Sequence, residues 1–242
     1  MAEVKAFSPR TARRERARAT RSRMLAAAFE LFVRQGYAPT TMGQIAAAAG
    51  VAVQTVHFTF HTKAELLQEV LTKYAAGEED PDPVMERPWM KEALATPNPY
   101  RQLALLTDHG IDIYKRMAPL TPALQAAASV DGQVAALMAS IAAARRSGMA
   151  AAIEALARKG SLREGLDVKH ATDLMVVLNS HETFLGLAVG AGWSVEQFKA
   201  WLYLTLCEQL LAPAGAADLV AATAGLSYHE QLSRTKKGSG RL

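Results

Sequence analysis

The sequence predicts an all-α protein, and three observations predict it. Apolar residues recur at i, i+3, i+4 and i+7 over most of the chain. Alanine, leucine, methionine and glutamine, all good helix formers, fill those segments. No run alternates β-branched and polar residues for long enough to make a strand. Half of the 242 residues are apolar, so the chain can bury a sizeable core. A single cysteine, Cys207, allows no internal disulfide and no cysteine cluster for zinc, which excludes a stapled secreted scaffold. No stretch approaches the roughly 18 consecutive apolar residues of a membrane span. The best candidate, Leu174 to Trp193, is broken by Asn179, Ser180, His181, Glu182 and Thr183. A secretory signal needs an apolar run near the N-terminus, and the chain opens with arginines instead. The expectation is a soluble cytoplasmic protein with no cofactor and no membrane partner.

In chain order, residues 1–19 read as a basic N-terminal arm, 20–66 as a helix-turn-helix domain, 67–212 as a helical effector-binding and dimerisation domain, and 213–242 as a flexible tail. Leu25, Ala28, Phe29 and Phe32 share one face of a first helix that Gly36 ends. Further helices are expected near 63–76, 100–117, 121–128, 132–159, 167–190 and 195–212. Residues 77–99 hold acidic residues and five of the ten prolines and read as a broken connector. The tail turns to Ala/Gly and then Ser/Lys/Gly from Pro213.

Residues 40–67 carry the most specific pattern. Thr41 followed by Gln44 is a capping box that announces a short helix with Ile45, Ala46 and Ala49 on its buried face. Gly50 supplies a sharp turn, with Val51 inside the corner. A second short helix, Val53 to Phe60, buries Val56 and Phe60, and a third begins near Thr62 or Lys63 and buries Leu66, Leu67, Val70 and Leu71. Two short helices on a tight glycine turn, set on longer helices, describe a helix-turn-helix. Its second helix would leave Gln54, Thr55, His57, Phe58 and Thr59 free to enter a major groove. The alternative from spacing alone is three packed helices that meet no nucleic acid.

Charge supports the DNA reading. Residues 1–75 carry eleven Lys/Arg against five Asp/Glu, and the remainder carries sixteen against eighteen. The arm holds Arg10, Arg13, Arg14, Arg16, Arg18, Arg21 and Arg23, opposed only by Glu15. Arginine neutralises phosphate and fits narrow minor grooves. A solvated helix face and an organellar transit peptide are the other readings of such a run; the arm enters a core helix with no processing-like break, against the second. From Gln35 to Thr62 no residue is formally charged. Affinity must then come from the arm and Lys63, and specificity from neutral groups: Gln54 to adenine, Thr55 or the Phe58 ring to a thymine methyl.

These residues resemble the DNA-binding domain of the tetracycline-repressor (TetR) family of transcriptional regulators. The matching pieces are Phe32 to Gly36-Tyr37, Thr40-Thr41-Met42, Ile45-Ala46, Ala49-Gly50-Val51 and Phe60-x-x-Lys63-x-Glu65-Leu66, all within residues 20–70. The resemblance implies a ligand-responsive repressor that binds a near-palindromic double-stranded operator as a homodimer. Phosphate contacts carry over to Thr41 and Lys63, and at His57 imidazole replaces the usual tyrosine. Ala52 stands where a Ser or Thr usually caps the reading helix, so that helix is expected to lack a cap worth ~1 kcal/mol.

By the same resemblance, Asp167–Gly192 and the helix to Leu211 look like the family's last two helices, which form a four-helix interface between subunits. Leu178, Leu185, Gly186, Phe198, Trp201, Leu202 and Thr205 are the candidate interface residues; filling of the monomer core is the other reading of the same stripe. Candidate lining of a sensor pocket is His109, Tyr114, Met117, Met138, Met149, Met175 and Asn179. Methionine fills irregular apolar space, and a largely apolar effector is expected. A ligand wedged among the middle helices would tilt helix 63–76 and change the separation of the two reading heads.

Enzyme motifs fail on inspection. His181-Glu182 and His229-Glu230 start like zinc-protease motifs, but Leu185 and Ser233 stand where the second histidine belongs. His57 and His61 lack a third metal ligand. Gly190-Ala191-Gly192 continues into no dinucleotide fingerprint. The chain is therefore expected not to be an enzyme and to hold no metal. A DNA-binding architectural module without ligand control, and an all-α enzyme or carrier with an incidental basic arm, remain as alternative functions.

Overall fold

The structure, a computed structural model, describes residues 9–77 and 83–212. The tail expected over 213–242 and the first eight residues of the arm lie outside the described residues. Eleven α-helices follow one another among the described residues, and their only β feature is an isolated bridge between Leu162 and Leu211. No described helix is long and apolar enough to cross a membrane.

The helices divide into two compact units. The first contains α1 (Pro9–Gln35), α2 (Met42–Ala49), α3 (Val53–Thr59) and α4 (Lys63–Ala76), and also residues 119–139. Where a boundary was expected at residue 66, this compact unit contains α4 whole, and α7 (Thr121–Val130) as well. The physical reason is packing. α7 lies against α1, and Asp131 at its C-terminus accepts a hydrogen bond from the Tyr37 hydroxyl at 3.1 Å. Phe32, Ile45, Val56, Phe60, Leu66 and Val70, nearly devoid of solvent exposure, fill the core of α1–α4, and Phe29 stacks on Tyr74 with ring centroids 3.7 Å apart.

The second unit contains α5 (Pro88–Ala95), α6 (Pro99–Met117), most of α8 (Gly132–Arg158), α9 (Val168–Leu178), α10 (His181–Phe184) and α11 (Val195–Leu210). The connector expected over 77–99 contains more structure than its prolines suggest. Val84–Glu86 form a 3₁₀ turn, and Pro88 stands at the start of α5, where its missing N–H costs nothing. The single helix expected over 167–190 is interrupted. Asn179 ends α9, Ser180 caps α10 by accepting from the Thr183 N–H, and Leu185–Gly190 continue as a π-helix. The core gathers Leu103, Ile111, Ile153, Phe198, Leu202 and Leu206 from α6, α8 and α11.

Candidate nucleic-acid interface

The reading head is built as its spacing requires. The Thr41 hydroxyl accepts from the Gln44 N–H at 3.2 Å, and the Gln44 Oε1 accepts from the Thr41 N–H at 2.9 Å, which closes the capping box of α2. Gly50 ends α2 at φ 65°, the left-handed region that glycine enters without a Cβ clash, and its N–H returns to Ala46 O and Ala47 O. Val56 and Phe60 anchor α3 from below. Ala52 leaves α3 without a side-chain cap.

Anchoring on one side leaves the other open. Gln54, Thr55, His57 and Phe58 are all exposed, and the Phe58 ring is 86% exposed, the most of any large apolar residue described. Thr59 is half-buried and donates to Thr55 O. Thr41 is exposed at the N-terminus of α2, where helix N–H groups favour a phosphate.

The basic residues separate into two kinds. Arg13, Arg14, Arg16 and Arg18 lie exposed on the first turns of α1, which is helical from Pro9 and so carries residues 9–19 on a regular helix. Arg10 is in the same helix, and its side chain lies outside the described residues. Arg21 and Arg23 instead bond back to their own chain. Arg21 pairs with Glu69 through Nε and Nη2 and lies 4.9 Å from the centre of the Phe60 ring, and Arg23 Nε donates to Ala49 O at the C-terminus of α2.

Lys63, expected at a phosphate, is engaged by its own chain in this structure. Its ammonium donates to Tyr37 O at 2.8 Å, Ala38 O at 3.2 Å and Thr40 O at 2.9 Å, and sits 4.2 Å from the Tyr37 ring centre. All three protons are taken by the α1–α2 corner, so the residue pins α4 to that corner. Burial lowers its pKa from the usual lysine value, against the pull of the Asp131 carboxylate. Burial first, and then Asp131, raise the Tyr37 phenol well above its ordinary value, which keeps it a donor.

In the second unit the expected pocket residues scatter. Tyr114 and Asn179 meet: the phenol donates to Asn179 O at 2.5 Å and to Asn179 Oδ1 at 3.1 Å. Met175 is fully buried in the core and Met149 packs against it. His109 stacks on Trp89 at 4.4 Å, and burial lowers its pKa below the ordinary histidine value. Met117 is half-buried, and Met138 belongs to the first unit. Sequence reasoning missed Gly110 and Arg145, which meet Asn179, and Thr107, buried one turn before Gly110 on α6; the pair Arg145-Arg146 inside an Ala-rich helix was the available signal.

The expected interface residues divide as well. Phe198 and Leu202 follow the other reading of the stripe: both have no exposure within their own chain, because α11 packs on α6 and α9. Leu178, Leu185, Trp201 and Thr205 are half-buried and Gly186 is exposed, as are Val177 and Val189 at 64% and 65%. Cys207 is buried, and burial pushes its thiol up to about 12, so it stays protonated and unreactive at neutral pH.

A sequence profile described as bacterial regulatory proteins, tetR family, matches residues 24–70. TtgW of Pseudomonas putida, an uncharacterized HTH-type transcriptional regulator, is 36% identical over 114 residues, covering 42% of this chain and 85% of TtgW. SrpR of Pseudomonas putida, also an HTH-type transcriptional regulator, is 36% identical over 111 residues, 40% of this chain and 52% of SrpR, so the match spans about half of that relative. Among solved structures, FadR of Bacillus subtilis in complex with stearoyl-CoA shares the fold at TM-score 0.62 and 17% identity, over 76% of this chain and 96% of FadR. A Saccharomonospora viridis protein in complex with choline does so at TM-score 0.62 and 17% identity, over 80% of this chain and 98% of that one.

Proposed function

The chain belongs to the TetR family of transcriptional regulators, and from that premise we propose that it is a cytoplasmic repressor. It binds a near-palindromic operator as a homodimer and leaves it when a small, largely apolar effector binds the second unit. The role is binding, not catalysis. The observation that carries this reading is the exposed, uncharged face of α3, held rigidly from beneath by Val56 and Phe60 and accompanied by the four exposed arginines of α1. Neutral side chains discriminate bases, and the arginines supply the salt-sensitive attraction to phosphate.

Two reading heads reach successive major grooves when they stand ~34 Å apart. The dimer face we assign is the half-buried stripe Trp201, Leu204 and Thr205 on α11 together with Val177, Gly186 and Val189, in place of the buried Phe198 and Leu202. That two proteins of this fold are found in complex with stearoyl-CoA and with choline supports a small-molecule effector. Effector binding in the second unit shifts the heads by way of α8, an unbroken helix that contributes to both units. Only a ligand with different affinities for the two forms can do this.

Selection of bound sequences from random duplex DNA tests the proposal. A half-site repeated with two-fold symmetry, bound by a dimer in sedimentation, is the expected result. A monomer that ignores every duplex in dilute buffer overturns it.

A further inference from the structure

We propose that the interruption between α9 and α10 is the head-group site of the effector, and that it receives a carboxylate. This deepens the reading above and rests on it.

The chain breaks its helix there around a fully buried Asn179. The Asn179 backbone carbonyl accepts from the Tyr114 hydroxyl and from the Arg145 guanidinium, which also donates to Val176 O at 2.8 Å. The Asn179 Oδ1 accepts from Tyr114, but its Nδ2 is buried with no partner. Arg145 Nε is buried and unpartnered too, and so is the hydroxyl of the fully buried Thr107. Thr107, Gly110 and Tyr114 stand at i, i+3 and i+7 on one face of α6. That face meets Asn179, because a Cβ on Gly110 would lie 3.1 Å from its Oδ1. Two orphaned groups, Asn179 Nδ2 and Arg145 Nε, therefore belong to side chains brought together at the end of α9, and the third, the Thr107 hydroxyl, lies one turn before Gly110 on the α6 face that meets Asn179.

Their chemistry selects the ligand. Asn179 Nδ2 and Arg145 Nε can only donate, and the Thr107 hydroxyl can donate. Arg145 also has no carboxylate partner among the described residues; its bonds go to two backbone carbonyls. Buried donors left unpaired destabilise the closed form, and an oxyanion would satisfy all three and neutralise the guanidinium. The neighbouring side chains, Phe184 and Met175, are apolar and buried, and His181 meets the Tyr114 ring edge-on at 5.7 Å. The fitting ligand is thus an amphiphile with a carboxylate head and an apolar body. Its entry requires the α9–α10 break to open, which the two non-helical residues and the following π-helix make local.

The test uses the full chain and three probes with one apolar body: decanoate, decan-1-ol and decyltrimethylammonium. Decanoate is expected to bind one per chain in calorimetry and to raise Tm, with the alcohol at least tenfold weaker and the ammonium inactive. Thr107→Val, an isosteric change, should keep or raise the Tm of the free protein and weaken decanoate about tenfold, as expected when a bond to a charged group is removed. Equal binding of the ammonium probe, no binding of decanoate, or a Thr107→Val protein of lower Tm and unchanged affinity overturns the proposal. A protein that retains its selected duplex but binds no decanoate overturns this site alone; one that binds decanoate and ignores all duplexes overturns the regulator reading alone.

Discussion

The α3 face and the α9–α10 break differ in where their polar chemistry lies, outside in the first and inside in the second. Around α3 the interior is apolar, and the side chains of the opposite face point outward: Phe58 is in water while Phe60, two residues on, is 1% exposed. Around Asn179 the unsatisfied donors are buried. On the proposed reading, a macromolecular ligand would meet an external face supported from beneath, and a small one would meet internal groups whose unpaired state disfavours the free form. The same helical vocabulary serves both because the two sites differ in which side of the helix is polar.

The largest expected effects break that contrast at α3. Phe60→Ala should cost about 3–5 kcal/mol in urea unfolding and abolish DNA binding with it, since α3 loses its anchor. Phe58→Ala should leave stability within about 0.5 kcal/mol and reduce discrimination between duplexes. Equal destabilisation by the two changes would show that α3 is not a surface supported from one side.

Next comes the division of the basic residues. Lys63→Met should cost about 1–3 kcal/mol, because three carbonyls lose their donor, and should not change the salt dependence of binding. Removal of residues 1–18 should do the reverse: stability stays, and the log–log salt slope falls by ~0.9 for each phosphate no longer neutralised. An unaltered slope in the truncated protein would remove the arginines of α1 from the interface.

A smaller gain is expected from Ala52→Ser. A serine there can accept from the first free N–H groups of α3 and should add ~1 kcal/mol, measured as a rise in the urea midpoint. Smallest is the pH effect of the second unit. Burial holds His109 and His181 below the ordinary histidine value of 6.5. The unfolded chain therefore takes up protons first. Their contribution is whole above about pH 6.5 and declines as pH falls toward the folded values. Thermal melts of a His109→Gln, His181→Gln double variant should show a shallower loss between neutral and mildly acidic pH.

Local pattern made the first unit legible. The capping box at Thr41 and Gln44, the glycine at 50 and the buried spacing of Val56 and Phe60 involve partners within a few residues, so the sequence alone carries their geometry. The long-range bonds were not legible. Tyr37 meets Asp131 across 94 positions, and Lys63 reaches back to the α1–α2 corner, so neither partner can be read from its neighbours. The stripe on α11 illustrates the same limit. Helical spacing put Phe198, Trp201, Leu202 and Thr205 on related faces, but only packing against α6 and α9 decided that Phe198 and Leu202 are interior.

The sequence by itself determined an all-α chain, a helix-turn-helix with its missing cap, and a basic segment before it, because periodicity, capping and charge are short-range properties. Tertiary structure alone decided which cations are exposed and which are bound to their own chain, that α7 belongs with α1, and that Asn179 and Arg145 meet. Those outcomes depend on which distant groups compete for the same donor or the same buried space, and one-dimensional spacing contains no such competition.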